Sequence, residues 1–309
     1  MNRRIFMKNS TMAGLAVSMP IQTLMGNDRK FKICLNPGAI GVKADQNQLL
    51  DMAIEAGFEA IIANSNEMMS WDSDAVKSYV SKMESNNISW GAAGLPMDFR
   101  KDEASFKEGL NALPKHAKAL ESCGVTRMNT WIMPTHETLP YIDNFKRHAR
   151  RLKQVVNILG HHGITFGMEY VGPKTLMARD RYPFIHSMRE TKQLIEAIDE
   201  KNVGFVLDSF HWFCAQETKA DLLTLDKSDI VTVDLNDAVA GRNVYEQLDW
   251  ERELPGSSGV IDLESFVDAL RTIGYDGPVR AEPFNQELRD MEDKAAVDKT
   301  FAAMKATCA

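Results

Sequence analysis

The chain has 309 residues, 44% of them hydrophobic and 26% charged, which is the make-up of a soluble globular protein with a sizeable core. That length suits a single α/β barrel, which takes roughly 250 residues. A net charge of −7 argues against the basic surfaces that bind nucleic acid or anionic membranes. The cysteines, Cys34, Cys123, Cys214 and Cys308, are scattered, with no CxxC unit to suggest a zinc site or a disulfide frame.

The N-terminus differs in kind from the rest. Arg3, Arg4, Phe6 and Lys8 precede an uncharged stretch from Asn9 to Asn27. This order of basic and modestly apolar residues resembles a twin-arginine export signal. The expectation is a leader over residues 1–27 and a periplasmic protein, or a cytoplasmic one if the leader does not function. Ser10, Thr11, Ser18, Pro20, Gln22 and Thr23 dilute the segment too much for a membrane span.

From residue 28 onward, strand-like runs alternate with amphipathic helices. Phe31–Leu35 reads as the first strand, and Gln46–Ala56 as a helix whose apolar face is Leu49, Leu50, Met52 and Ile54. Phe58–Ala63 is the second strand, 74–86 a helix and Ile88–Ala93 the third strand. A long helix over 103–122 leads to the fourth strand, Val125–Trp131. The basic helix 141–159 is followed by a strand ending at Glu169, and the helix 184–198 by Val203–Asp208. A short helical crossover at 220–225 precedes the strand that runs to Asp234. A polar loop over 238–259, a helix at 263–273 and a strand to Glu282 follow, and a helix near 290–305 closes the chain. Residues 173–183 read as a surface loop.

Eight strands separated by helices leave two architectures once crossovers are right-handed, a closed (β/α)₈ TIM barrel or a doubly wound sheet. The doubly wound fold wants a Gly-x-Gly-x-x-Gly turn, which the sequence lacks, and eight regular units favour the barrel. No linker divides residues 28–309, so they form one domain.

Strands five to eight end in acids, Glu169, Asp208, Asp234 and Glu282. In a barrel these ends are neighbours on the catalytic rim. Four carboxylates converging there cannot all stay ionised without a cation between them, which points to one divalent metal. An all-oxygen set suits Mn²⁺ or Mg²⁺ better than Zn²⁺.

Met168-Glu169, Leu207-Asp208-Ser-Phe-His211-Trp212, Leu235-Asn-Asp237-Ala, Leu254-Pro-Gly256 and Gly274-Tyr-Asp-Gly-Pro-Val with Glu282-Pro283 together resemble the xylose isomerase-like TIM barrels, the sugar phosphate isomerase/epimerase group. The resemblance spans the chain after Asp28. It implies a metal held by Glu169, Asp208, Asp234 and Glu282, although Asp234 stands where the family usually has His. It further implies that Glu169 and Glu282 take and return a proton through an enediolate, with His211 bonding a substrate oxygen. Arg252 is a candidate substrate contact or a brace for its own loop, and Trp131 and Trp212 are candidate sugar-stacking platforms. His116, His148, His161 and His162 read as structural.

The leading expectation is a metal-dependent isomerase or epimerase of a small, non-phosphorylated sugar or polyol, since no Gly-rich phosphate loop is present. Two alternatives stand beside it: a lyase that cleaves 3-keto-glycosides by β-elimination, and a sugar-binding barrel whose site has degenerated. The partner in each case is a small carbohydrate. The resemblance also allows a homo-oligomer, which no segment of the sequence settles.

Overall fold

The computed structural model describes residues 29–309, so the expected leader lies outside the described residues. Eight strands form the barrel: β1 Lys32–Leu35, β2 Ala60–Ala63, β3 Ser89–Gly94, β4 Arg127–Ile132, β5 Thr165–Tyr170, β6 Val203–Asp208, β7 Ile230–Leu235 and β8 Pro278–Ala281. Each pairs in parallel with its sequence neighbours, and β8 closes on β1 with Ile33 opposite Val279. Every strand therefore points the same way, and all eight C-terminal ends meet at one mouth.

The helices start and stop for local reasons. Asp45 caps Gln46–Ala56 in a reciprocal capping box with Gln48, and Asp72, Asp102 and Ser187 each accept a backbone N–H at the start of the helix they precede. Gly57 ends the first helix at φ +93°, a left-handed conformation that glycine takes at little cost. Apolar faces carrying Leu50, Leu113, Leu159 and Leu270 pack onto the barrel wall and are buried.

The expected elements are present with shifted ends. The helix expected from residue 184 begins at Met188, because Ser187 supplies its cap, and the last helix spans Asp293–Thr307. The stretch 173–183 is more ordered than a plain loop. It holds the short helix Lys174–Met177, and Tyr182–Pro183 pairs antiparallel with Thr135–His136 over the rim. The polar loop 238–259 is anchored from inside. Asp237 is fully buried and accepts from Ser258, Gly259 and Ile261 N–H groups at 2.8–3.0 Å, folding the loop back across the mouth.

Candidate active site

The mouth opens into a cavity of about 620 Å³ lined by Glu169, His211, Arg252, Arg280 and Glu282 at its floor and by Trp131, Arg100 and Trp250 higher up. Glu169, Asp208, Asp234 and Glu282 each bring a carboxylate oxygen to within 4.8 Å of the others. The sequence expectation that four strand ends converge is met. The four acids do not, however, have equivalent surroundings.

Two of them are committed to arginines. Asp208 accepts from the Phe210 and His211 N–H groups with one oxygen, at 2.6 and 3.4 Å, so it also caps the short helix Ser209–Cys214. Its other oxygen accepts from Asn236 Nδ2 and Arg252 Nη1, both at 2.9 Å. Asp234 is gripped by Arg280 across β7 and β8, where the two residues are register partners. Arg280 Nε bonds one carboxylate oxygen and Nη2 the other at 2.8 Å, a side-on fork. Asn129, its amide oriented by its neighbours, accepts from Arg280 Nη2 at 3.2 Å and donates to the Ala93 carbonyl. Burial works against the Arg280 charge, but Asp234, Glu282 and Glu169 outweigh it and hold the guanidinium firmly protonated.

The other two acids are uncommitted. Among the described residues neither the Glu169 nor the Glu282 carboxylate accepts a hydrogen bond. Glu169 Oε1 is buried without a partner, and Glu282 only approaches Arg252 at 3.6 Å and Arg280 at 3.8 Å. Burial, then the charges of Glu282, Asp208 and Asp234, push the Glu169 carboxyl well above its ordinary value. Burial, then Asp234, push Glu282 up to about 8, with Arg280 and Arg252 pulling back.

Arg252, expected as a substrate contact or a loop brace, is mainly the brace. Its side chain is 1% exposed and is clamped between the Phe210 and Phe284 rings, each 4.8 Å from the guanidinium carbon. Nε and Nη2 bond the Asp249 carbonyl and carboxylate at 2.7 Å. Phe284 has a positive φ of 42°, a strained setting for a bulky residue that the packing on Arg252 sustains.

His211 is fully buried, and burial lowers its pKa, so the ring is neutral. Nδ1 receives the Gly172 N–H at 3.3 Å. A Cβ on residue 172 would lie 2.4 Å from the His211 carbonyl, so only glycine lets the two backbones approach this closely. Arg252 Nη2, which has a second hydrogen beyond the one given to Asp249, lies 3.4 Å from Nε2, so donors flank the ring on both sides, and Nε2 is also 3.8 Å from Glu169 Oε1.

The two tryptophans separate. Trp131 is 40% exposed on the rim, with Arg100 stacked 3.9 Å from its ring centre, and it lines the cavity as expected of a platform. Trp212, the other expected platform, is corrected. Its ring is buried against Phe266, and its Nε1 donates to the Thr218 carbonyl at 3.2 Å, because the helix begun by Asp208 turns it away from the mouth. Sequence reasoning missed Arg280, Asp249, Asn236 and Phe284. Of these Arg280 carried a signal, a charge inside an apolar strand at the register of Asp234.

The architecture and mouth define an α/β barrel that gathers carboxylates, a histidine and arginines for chemistry on a small polar molecule. Residues 50–307 match the model of the xylose isomerase-like TIM barrel, and the chain belongs to that family. It is 24% identical to a ketose 3-epimerase of Arthrobacter globiformis over 76% of each chain. It is 22% identical to an inosose isomerase of Halalkalibacterium halodurans over 64% of this chain and 67% of that one. Over 118 residues, 37% of this chain and 18% of the other, it is 30% identical to a 3-dehydroshikimate dehydratase of Pseudomonas aeruginosa. Among solved structures, a xylose isomerase domain protein of Alicyclobacillus acidocaldarius superposes with a TM-score of 0.79 at 27% identity, covering 90% of this chain and 98% of that one. The IOLI protein with a binding zinc atom superposes at 0.75 with 18% identity over 90% and 98%. The relatives are thus sugar isomerases, epimerases and a dehydratase.

Proposed function

We propose that this protein is a divalent-metal-dependent isomerase or epimerase of a small, non-phosphorylated keto-sugar or keto-polyol. The observation that carries the reading is the pair of uncommitted glutamates, the buried Glu169 and the half-buried Glu282, at one cavity floor. Five carboxylates, Asp249 included, cluster about Arg252 and Arg280 there, while Arg100 and Arg179 also line the cavity. The bare Glu169 Oε1 and this charge excess fit a divalent cation at the cluster that Glu169, Asp208, Asp234 and Glu282 form. Oxygen donors favour Mn²⁺ or Mg²⁺ over Zn²⁺. Such an ion, when bound, polarises a carbonyl and stabilises the enediolate beside it.

The residues supply the rest. One glutamate removes the proton from the carbon next to the carbonyl, the bond's electrons pass into the enediolate, and the other glutamate returns a proton to the opposite face. In the metal-free protein burial raises both carboxyls, Glu282 to about 8 and Glu169 well above its ordinary value, a tension that a bound cation would relieve. His211 hydrogen-bonds a substrate oxygen. Trp131 supplies an apolar face for a sugar ring.

A β-elimination on the same scaffold is the second reading. The dehydratase among the relatives favours it, as does a cavity roomy enough for a 3-keto-glycoside. One experiment addresses both. Chelator-stripped protein is incubated with Mn²⁺ or Mg²⁺ in D₂O with ketoses, keto-inositols and 3-keto-glycosides. Deuterium entering the carbon next to the carbonyl with mass otherwise unchanged means epimerisation or isomerisation, and a released aglycone means elimination. No solvent exchange with any of them refutes the reading. We further propose export by the twin-arginine route, for which unchanged location after Arg3→Lys and Arg4→Lys is the refuting result.

A further inference from the structure

We infer that Asp234 is not a metal ligand: the Asp234–Arg280 pair replaces the family's fourth ligand, so that Glu169, Asp208 and Glu282 alone hold the cation. The inference rests on the metal-dependent reading above and assigns its ligands.

Three observations carry it. Both Asp234 oxygens are taken by the Arg280 fork, and Arg280 Nη2 reaches to 3.8 Å from Glu282 Oε1, so the guanidinium stands between Asp234 and Glu282. A cation drawn toward Asp234 would meet that fixed positive charge first. Asp208 is different. Arg252 Nη1 also lies 3.6 Å from Glu282, but it touches a single Asp208 oxygen, and the other oxygen is bonded by neutral backbone N–H groups, whereas Arg280 occupies both oxygens of Asp234. Glu169 and Glu282 have no hydrogen-bonded partner to give up.

The remaining candidate for a fourth ligand is His211, whose ring nitrogen groups with Glu169 and Asp208 within 4.8 Å. A ligating imidazole offers one bare nitrogen to the metal and donates its other N–H outward. Both His211 nitrogens are approached by fixed donors, Nδ1 by the Gly172 N–H and Nε2 by Arg252 Nη2, so neither is a bare nitrogen turned to the cation. Arg280 Nη1, which bonds no other described residue, is a donor at the cavity floor. The substitution exchanges one ligand for a permanent guanidinium cation.

Mn²⁺ binding to the full chain, stripped with chelator and measured calorimetrically without substrate, tests this. Removing the pair as a unit, Asp234→Asn with Arg280→Gln, changes no net charge and is expected to leave the Kd within about threefold of wild type. Arg280→Gln alone frees Asp234 and removes a repelling charge, and is expected to tighten Mn²⁺ by about tenfold, or ~1.4 kcal/mol. Glu169→Gln is expected to weaken it at least thirtyfold, roughly. A double variant as weak as Glu169→Gln overturns the inference while leaving the metal reading intact. If neither wild type nor Arg280→Gln binds Mn²⁺ at millimolar concentration, the metal reading itself fails and the inference with it. Circular dichroism checks each variant's fold, and Arg280→Gln alone decides if the double variant does not fold, an unchanged or weakened Kd being the overturning result.

Discussion

The two halves of the barrel rim are built from different chemistry. Strands β1–β4 end in Leu35, Ala63, Gly94 and Ile132, and they contribute an uncharged strand wall with Asn129, Thr130 and Trp131, to which the loop after β3 adds Arg100 at the rim. Strands β5–β8 deliver all four clustered acids and Arg280, and the loop after β7 adds Arg252. Burial first, and then the repulsion among like charges concentrated in one half, lifts the two glutamates out of the ordinary carboxylate range. The neutral half shapes the cavity without perturbing those charges. Chemistry and recognition are thereby assigned to opposite sides of one cavity.

Changes on the charged side should cost the most. Glu169→Gln is expected to lower kcat by about a thousandfold, as loss of a general base does. In the chelated protein it should also raise the melting temperature at pH 8, because a buried carboxyl with a raised pKa is a destabilising group. A lowered kcat with a lowered melting temperature would contradict that account. Arg252→Met strands Asp208 and Asp249 without their cation and is expected to cost about 3–5 kcal/mol in urea unfolding.

The pH dependence has a definite sign. In the chelated protein the folded state keeps a proton on Glu282 up to about pH 8, whereas an unfolded chain releases it near 4.5. Glu217, buried and bonded to the Tyr170 hydroxyl and the Met188 N–H, is raised by burial to about 7 and acts in the same direction. Stability should therefore be greatest at low pH within the folded range, fall as pH rises between about 5 and 8, and then level off. At about 1.4 kcal/mol for each pH unit between 4.5 and about 8, Glu282 alone would account for a loss of up to about 5 kcal/mol. Thermal melts across that range should flatten in Glu282→Gln, and a slope of the opposite sign would refute the assignment.

The neutral half gives the smallest effect. Trp131→Ala should leave stability within about 0.5 kcal/mol, since the ring is rim-exposed, and raise KM about fivefold with kcat nearly unchanged. If kcat fell as much as in Glu169→Gln, the division between the halves would not hold.

The fold was legible because its signals are local. An apolar run followed by an acid, then an amphipathic helix, repeats along the second half of the chain, and each unit can be read without its neighbours. The acids at β5–β8 were legible for the same reason. What escaped depends on pairs distant in sequence. Asp234 and Arg280 are 46 positions apart, and their fork exists only once β7 and β8 lie in register. Arg252 sits in a loop whose composition reads as solvated, yet Asp208, 44 positions away, and two phenylalanine rings bury it. Trp212 misled because a helix turn, not the strand direction, sets where its ring points.

Asn236 joins three strand ends with one side chain. Its Nδ2 holds Asp208 at the end of β6, its Oδ1 receives the Glu282 N–H at 2.9 Å beyond β8, and its own backbone is bonded to Ser209 Oγ. The Glu282 amide hydrogen is thus tied to a neighbouring strand's side chain and not to the barrel ladder. It can exchange with solvent deuterium only when the ends of β7 and β8 part. The slowest amides of this protein should therefore include one at the edge of its cavity, and the time they take to exchange reports how seldom the charged half of the rim opens as a unit.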